Sequence, residues 1–188
     1  MEIIDTDVGH IAQVGIVVRN LQAAMDGFSR ALGIETWRVF TNSAPPLRCL
    51  YRRQAATYKV RVALANNGPL TIELIQYLEG DTIHRDFLAA GREGVEHLGI
   101  YVSDLDKVLA RFKQQGFREL QSADGLGAKG DGRYVYLDTE AALGTILELI
   151  QAPSERLPPE QVYSPKIERT ATEIDISSSN GGGHDNQR

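Results

Sequence analysis

Only one cysteine, Cys49, stands among the 188 residues. No intrachain disulfide framework is therefore available, and a reducing compartment suits the chain. No recognisable nucleophile signature surrounds Cys49, so a half-buried strand thiol is expected there. Long hydrophobic runs are missing as well: the longest, such as Val14 to Val18, have the length of a strand and fall far short of a membrane span. Basic clusters are absent. Lys and Arg number 20 against 25 Asp and Glu, a net charge of −5, and Arg52-Arg53 is a pair rather than a patch. That balance argues against a nucleic-acid partner. The opening Met-Glu-Ile-Ile-Asp-Thr-Asp has neither the basic region nor the apolar core of a signal peptide, so the cytoplasm is the expected location. The last stretch, 177–188, has almost nothing apolar to bury and is expected to be a disordered tail, with His184 solvated inside it.

What is present is a repeat. Gln13-Val-Gly-Ile-Val-Val-Arg-Asn-Leu reads against His97-Leu-Gly-Ile-Tyr-Val-Ser-Asp-Leu, and Glu73-Leu-Ile-Gln returns letter for letter as Glu148-Leu-Ile-Gln. Each copy has the same grammar. A short β-branched segment (11–18, 97–102) leads to a capping residue, Asn20 or Asp104. An apolar stripe at helical spacing follows: Leu21, Ala24, Met25, Phe28 and Leu32, or Leu105, Val108, Leu109 and Phe112. A glycine, Gly33 or Gly116, then stops the helix. Candidate strands come next: 36–41, 47–52, 58–65 and 70–77 in the first copy, then 117–121, 133–138 and 145–151 in the second. Pro45-Pro46, Asn66-Asn67-Gly68-Pro69, Asp124-Gly125 and Gly130-Asp131-Gly132 mark the turns between them. Each copy thus reads as βαβββ. The expected organisation is an N-terminal extension (1–9), a first module (10–80), a connecting helix and link (81–93) and a second module (94–153). An extended C-terminal arm (154–176) and the tail complete it.

The repeated segments carry Gln13, Glu73, His97 and Glu148 at matching places, and all four side chains can bind a metal. Side chains alternate along a strand, so Gln13 shares a face with Gly15 and Val17, and His97 with Gly99 and Tyr101. Glu73 goes with Ile75, and Glu148 with Ile146 and Ile150, so each carboxylate lies on a face that otherwise reads as core. An unpaired buried carboxylate is costly and calls for a positive partner, either a cation or a buried Arg or Lys. One such Glu is most often half of a structural ion pair. Two at duplicated positions, each coupled to a strand bearing Gln or His, favour one shared four-ligand site. Gly15 and Gly99 fit a concave face kept open beside the ligands, or equally a close backbone approach. His10 has the opposite parity to Gln13, and His84, on the connecting helix, is expected at the surface. Tyr101, Tyr134, Tyr136 and Trp37 are candidates to line a pocket, although aromatic residues in strands are usually core. Arg38, Arg48, Arg52, Arg53, Arg61 and Arg133 are by default solvated charges.

With these residues in order, the chain resembles the vicinal oxygen chelate superfamily of glyoxalase I, bleomycin-resistance proteins, extradiol dioxygenases and methylmalonyl-CoA epimerase. The likeness is greatest to the epimerase branch. It is carried by Glu73-Leu-Ile-Gln, Asp81 to Leu88, Gly94-Val-Glu-His97-Leu-Gly-Ile-Tyr-Val, Gly127-Ala-Lys-Gly, Tyr134-Val-Tyr-Leu and Gly144-Thr-Ile-Leu-Glu148-Leu, across about residues 10–153. The resemblance implies an α+β fold, two tandem βαβββ modules forming a cupped eight-stranded mixed sheet, with one divalent metal ion on the concave face. It maps Glu73, His97 and Glu148 onto metal-ligand positions and places Gln13 where the family usually has histidine. A set of one nitrogen and three oxygens favours Mn, Co, Ni or Mg in an octahedral site over tetrahedral Zn. The implied activity is a metal-dependent isomerase or epimerase. It would chelate a carbonyl or thioester substrate and move a proton α to the carbonyl through a metal-stabilised enolate, with Glu148 and Glu73 as candidate bases. The alternatives are a non-catalytic binding or resistance protein and a glutathione-dependent glyoxalase-type lyase. An extradiol dioxygenase would want two histidines and one carboxylate, and Gln13 leaves only one histidine. A homodimer is also implied.

Overall fold

The computed structural model describes residues 8–166. The first module runs β1 (Ile11–Val17), α1 (Leu21–Leu32), β2 (Trp37–Tyr51), β3 (Gln54–Asn67) and β4 (Leu70–Gly80). After the connecting helix α2 (Ile83–Ala89), the second runs β5 (Gly94–Tyr101), α3 (Leu105–Gln114), β6 (Glu119–Leu126), β7 (Gly132–Leu137), a single turn α4 (Glu140–Leu143) and β8 (Ile146–Gln151). A short β9 (Gln161–Tyr163) follows.

The two long helices start and stop as their sequences direct. Asn20 accepts a hydrogen bond from the Ala23 N–H at 3.0 Å, and Asp104 accepts one from the Lys107 N–H at the same distance. Each satisfies a donor that the first helical turn leaves open. Gly33, with φ of 70°, closes α1 in the left-handed conformation that glycine adopts without strain. Leu21 and Met25 of α1 are buried, as are Leu105, Val108 and Leu109 of α3. Leu32 departs from the expected stripe and is 47% exposed, because it sits in the last turn beyond the edge of the sheet-facing stripe.

The sheet is mixed. β1 pairs parallel with β4 and antiparallel with β5, and β5 pairs parallel with β8. From there β8–β7, β7–β6, β3–β4 and β2–β3 are antiparallel. The cup then closes: Arg48 to Tyr51 of β2 pair with Asp124 to Gln121 of β6, so eight strands make a continuous ring. The expected strands 36–41 and 47–52 are one strand, β2, with an irregularity between Ala44 and Cys49. Pro45 and Pro46 stand in that irregular stretch, where no ladder bond is required of them. The leading half of β2 carries β9 on its other side, Trp37 opposite Tyr163, so the arm packs against the body there. Residues 167–176 of the arm and the tail 177–188, with His184, lie outside the described residues.

Three apolar clusters divide the interior. One fills the ring with Val17, Val60, Val62, Ile75, Tyr134, Tyr136 and their neighbours. The other two lie under α1 and α3 on the outer face. Helix α2 closes one end of the ring by inserting Ile83 and Phe87 into the inner cluster. Its Ile83 N–H donates to Gln121 Oε1 at 3.0 Å.

Candidate metal centre

The seam between the modules is the antiparallel β1–β5 pair, and its register explains the site. Gln13 lies opposite Gly99, and Gly15 lies opposite His97. On the flanks, Glu73 of β4 pairs with Gly15, and Glu148 of β8 pairs with Gly99. Each copy therefore offers a glycine between two polar side chains, one of its own and one of the other copy's. The need for glycine is steric at both places. A Cβ at Gly15 would stand only 1.9–2.4 Å from three atoms of the His97 ring, and one at Gly99 would come within 2.9 Å of Gln13 Cβ.

In the resulting space Glu73, His97 and Glu148 present one ligand atom each, all within 4.8 Å of one another. His97 Nε2 is 3.3 Å from Glu73 Oε2 and 3.3 Å from Glu148 Oε2. The Gln13 amide joins them, donating from Nε2 to Glu73 Oε2 at 2.8 Å and to Glu148 Oε2 at 3.4 Å. The Gln13 Oε1 accepts from the Tyr101 hydroxyl at 3.3 Å. All four candidate ligands are thus brought together inside the ring, with Gln13, His97 and Glu148 buried and Glu73 half-buried.

The electrostatics are those of crowded negative charge. Burial raises the Glu148 carboxyl above its ordinary range and Glu73 adds to this, while His97 and a hydrogen bond from Tyr136 oppose it. Burial works against a charged His97, but Glu148, Glu73 and Glu96 outweigh it and hold the imidazole well above its ordinary pKa. The protonated ring is the positive partner that two converging carboxylates require. A divalent cation answers the same demand, and one imidazole nitrogen with carboxylate and amide oxygens is a donor set for Mn²⁺, Co²⁺ or Ni²⁺. The residues fit the ion.

Four expectations for individual residues change. His84 is not at the surface: it is 3% exposed, and its Nδ1 lies 2.6 Å from Glu96 Oε2. It is in the first turn of α2, on the face that closes the ring. Trp37 does not line the interior. It is buried under α1, where its indole N–H donates to Ser29 Oγ at 2.9 Å. Tyr134 and Tyr136 do face inward, and the Tyr136 ring stands edge-on to His97 at 5.0 Å. Arg133 is tied to Asp106 and Asp124, so it is not a free rim charge. Cys49 is buried rather than half-buried. His10 is exposed and takes no part in the cluster.

Glu96 is the residue that the sequence reading passed over. Strict alternation puts it on the opposite face from His97, under α3 with Leu98 and Ile100. A bulge in β5, where Gly15 pairs with His97 but Ile16 pairs with Val95, turns Glu96 inward instead. A carboxylate assigned to an apolar outer face was the available signal.

Comparison with known proteins bears on the family and the fold. The family described as Glyoxalase/Bleomycin resistance protein/Dioxygenase superfamily matches residues 12–136. No curated protein matches the chain. Among solved structures, methylmalonyl-CoA epimerase from Mycobacterium tuberculosis aligns with a TM-score of 0.59 and 24% identity over 81% of this chain and 94% of that one. A variant of the Streptomyces coelicolor methylmalonyl-CoA epimerase, in complex with 2-nitronate-propionyl-CoA, aligns at 0.58 and 22% over 78% and 99%. A hypothetical protein from Bacillus halodurans C-125 aligns at 0.57 and 18% over 79% and 97%. These likenesses are of fold.

Proposed function

The chain belongs to the glyoxalase/bleomycin resistance protein/dioxygenase superfamily, and we propose that within it this protein is a divalent-metal-dependent isomerase or epimerase. Its reaction would move a proton next to the carbonyl of a small-molecule substrate. The observation that carries the reading is the convergence of Glu73, His97 and Glu148 within 4.8 Å, inside the ring and across the seam of the duplication.

Glu73, His97, Glu148 and Gln13 are the proposed ligands, Gln13 through its carbonyl oxygen once the amide turns over. When bound, the ion supplies a Lewis acid for two adjacent substrate oxygens. The remaining work falls to the chain. Glu148, once it detaches from the ion, is the proposed base, its proton affinity set by burial, which raises it, and by the nearby ion, which lowers it. Glu73, less buried, is the second carboxylate placed to return a proton. Tyr136 donates to Glu148 and steadies it, and the aromatic wall of Tyr134 and Tyr136 keeps water from the reacting carbon. An acyl thioester is the proposed substrate class, because structures similar in fold hold acyl-CoA compounds. A homodimer and a cytoplasmic location belong to the same proposal. Among the described residues, no helix is long and apolar enough to cross a membrane.

One observation favours a second reading. The Gln13 amide hydrogens and the His97 ring already satisfy both carboxylates. A protein that only binds a small molecule in this fold would need no more.

Metal content decides between them. The protein, purified without chelator or histidine tag, is expected to hold a near-stoichiometric divalent ion by plasma mass spectrometry and to lose it in Glu148→Gln. Proton exchange of α-acidic thioesters in deuterated water then reports the activity. A chain that stays empty when offered Mn²⁺, Co²⁺, Ni²⁺ or Zn²⁺ is a binding protein.

A further inference from the structure

Glu96 is buried beside the candidate metal centre but is not one of its proposed ligands. Its Oε2 lies 2.6 Å from His84 Nδ1 and 3.3 Å from His97 Nδ1. Its Oε1 is buried without a hydrogen-bond partner among the described residues. An open buried acceptor is costly, so packing alone does not explain a carboxylate here. The bulge is a second local cost, since β5 surrenders a regular ladder position to turn Glu96 and His97 to the same side.

The geometry around His97 shows what the arrangement achieves. The ring spans two sets of carboxylates, with Nε2 facing Glu73 and Glu148 and Nδ1 facing Glu96, every distance 3.3 Å. An imidazole that ligates through one nitrogen must carry its hydrogen on the other, and the acceptor at that second nitrogen decides which is which. Gly15 confines the ring on one side and the Tyr136 edge borders it at 5.0 Å, but neither offers an acceptor to Nδ1. Glu96 does. His84, fixed in α2, holds the carboxylate in place, and its own ring stands edge-on to Tyr136 at 5.6 Å.

We propose that Glu96 is a positioning residue. Its carboxylate accepts a hydrogen bond from the His97 Nδ1–H, sets the plane of the ring and leaves Nε2 for the divalent ion, with His84 as the anchor that holds Glu96. This rests on the metal reading above. It goes further by linking α2, a helix outside the ligand set, to the centre through one hydrogen-bonded chain of His84, Glu96 and His97.

The test uses the full chain, Zn²⁺ as the probe, competition titration for its Kd, and nitrogen-15 NMR of the His97 ring in the zinc-loaded protein. Glu96→Met keeps the volume and removes the acceptor. It is expected to bind Zn²⁺ about 10–100-fold more weakly, the usual loss when the partner of a ligating histidine is removed. The Nδ1 proton signal of His97 should also be lost to exchange. Glu96→Gln restores an acceptor without its charge and should recover part of the affinity. Its Nδ1 proton should still move upfield, because an amide oxygen is a weaker acceptor than a carboxylate. A Met variant with the unaltered Kd and an unmoved Nδ1 signal overturns the proposal. Should that variant not fold, the same result in Glu96→Gln does so. If the unaltered chain binds no zinc, the Kd comparison is made with Mn²⁺, Co²⁺ or Ni²⁺; if it binds none of the four, the metal reading has failed and takes this one with it. Weakened binding confined to the variants upholds both.

Discussion

The imidazole of His97 occupies the space in which any side chain at Gly15 would begin. The two residues face each other across the seam of the duplication, and the ring lies against the bare glycine backbone.

Gly15→Ala should therefore displace the ring rather than merely crowd it. Over-packing of this kind costs about 1–3 kcal/mol. The unfolding free energy from urea titration should fall by that amount, and divalent metal binding should fall with it. Gly99→Ala meets Gln13 Cβ at 2.9 Å and Ile150 Cδ1 at 3.0 Å, so the same two measurements should show a smaller loss.

Stability of the metal-free protein should change sign in its response to pH. The folded His97 has a pKa well above its ordinary 6.5, so its proton stabilises the fold fully below that value. The contribution is lost as pH rises through the folded value. Glu96 acts at the other end. Burial opposes its charge, but His84 and His97 prevail and hold its pKa down to about 2, against an ordinary 4.5. Its contribution is present above 4.5 and disappears as pH falls towards 2. A divalent ion displaces the His97 proton, so the stabilisation from added Mn²⁺ should grow with pH. Thermal melts from acid through alkaline pH, with and without Mn²⁺, check the sign.

Under α1, Ser29 and Trp37 are both fully buried and bonded to each other. Ser29→Ala leaves the indole N–H without its partner, at a cost of about 1–3 kcal/mol. The denaturation midpoint should move accordingly while metal content stays as it was, because neither residue reaches the interior of the ring.

Burial pushes the Cys49 thiol up to about 11. Iodoacetamide should therefore label it slowly in the folded chain and at the ordinary rate in denaturant. Rapid labelling of the native protein, followed by mass spectrometry, would show that β2 opens at its irregular stretch.

Much of this site could be read from the chain because duplication wrote it twice. The parity of Gln13, Glu73, His97 and Glu148 depends only on local strand alternation, and that regularity holds from Gln13 to Gly15 in β1, around Glu73 in β4 and through β8. It fails at Glu96, where a single extra residue in β5 reverses the facing of one side chain; no period-two reading can register that. His84 was misplaced for a related reason. A seven-residue helix in a linker reads as surface, but α2 closes the end of the ring, which only the tertiary arrangement decides. Pro45-Pro46 suggested a turn because proline breaks ladders, yet β2 continues through them where its ladder is already irregular. Trp37 shows the limit of composition: it is an aromatic residue in a strand, assigned to one face by hope of a pocket and to the other by the bulk of α1.

Since each half of the chain holds only two of the four converging side chains, neither half alone can assemble the set. Severing the polypeptide between α2 and β5 would leave one fragment with two helices and four strands and another with two helices and five strands among the described residues, each holding half of the constellation. Any divalent ion retained by their mixture would then report that they had found each other along β1 and β5. In the intact chain the same logic gives ion capture an order in time. It would wait on the pairing of β1 with β5, and its rate would clock how fast the two halves find each other.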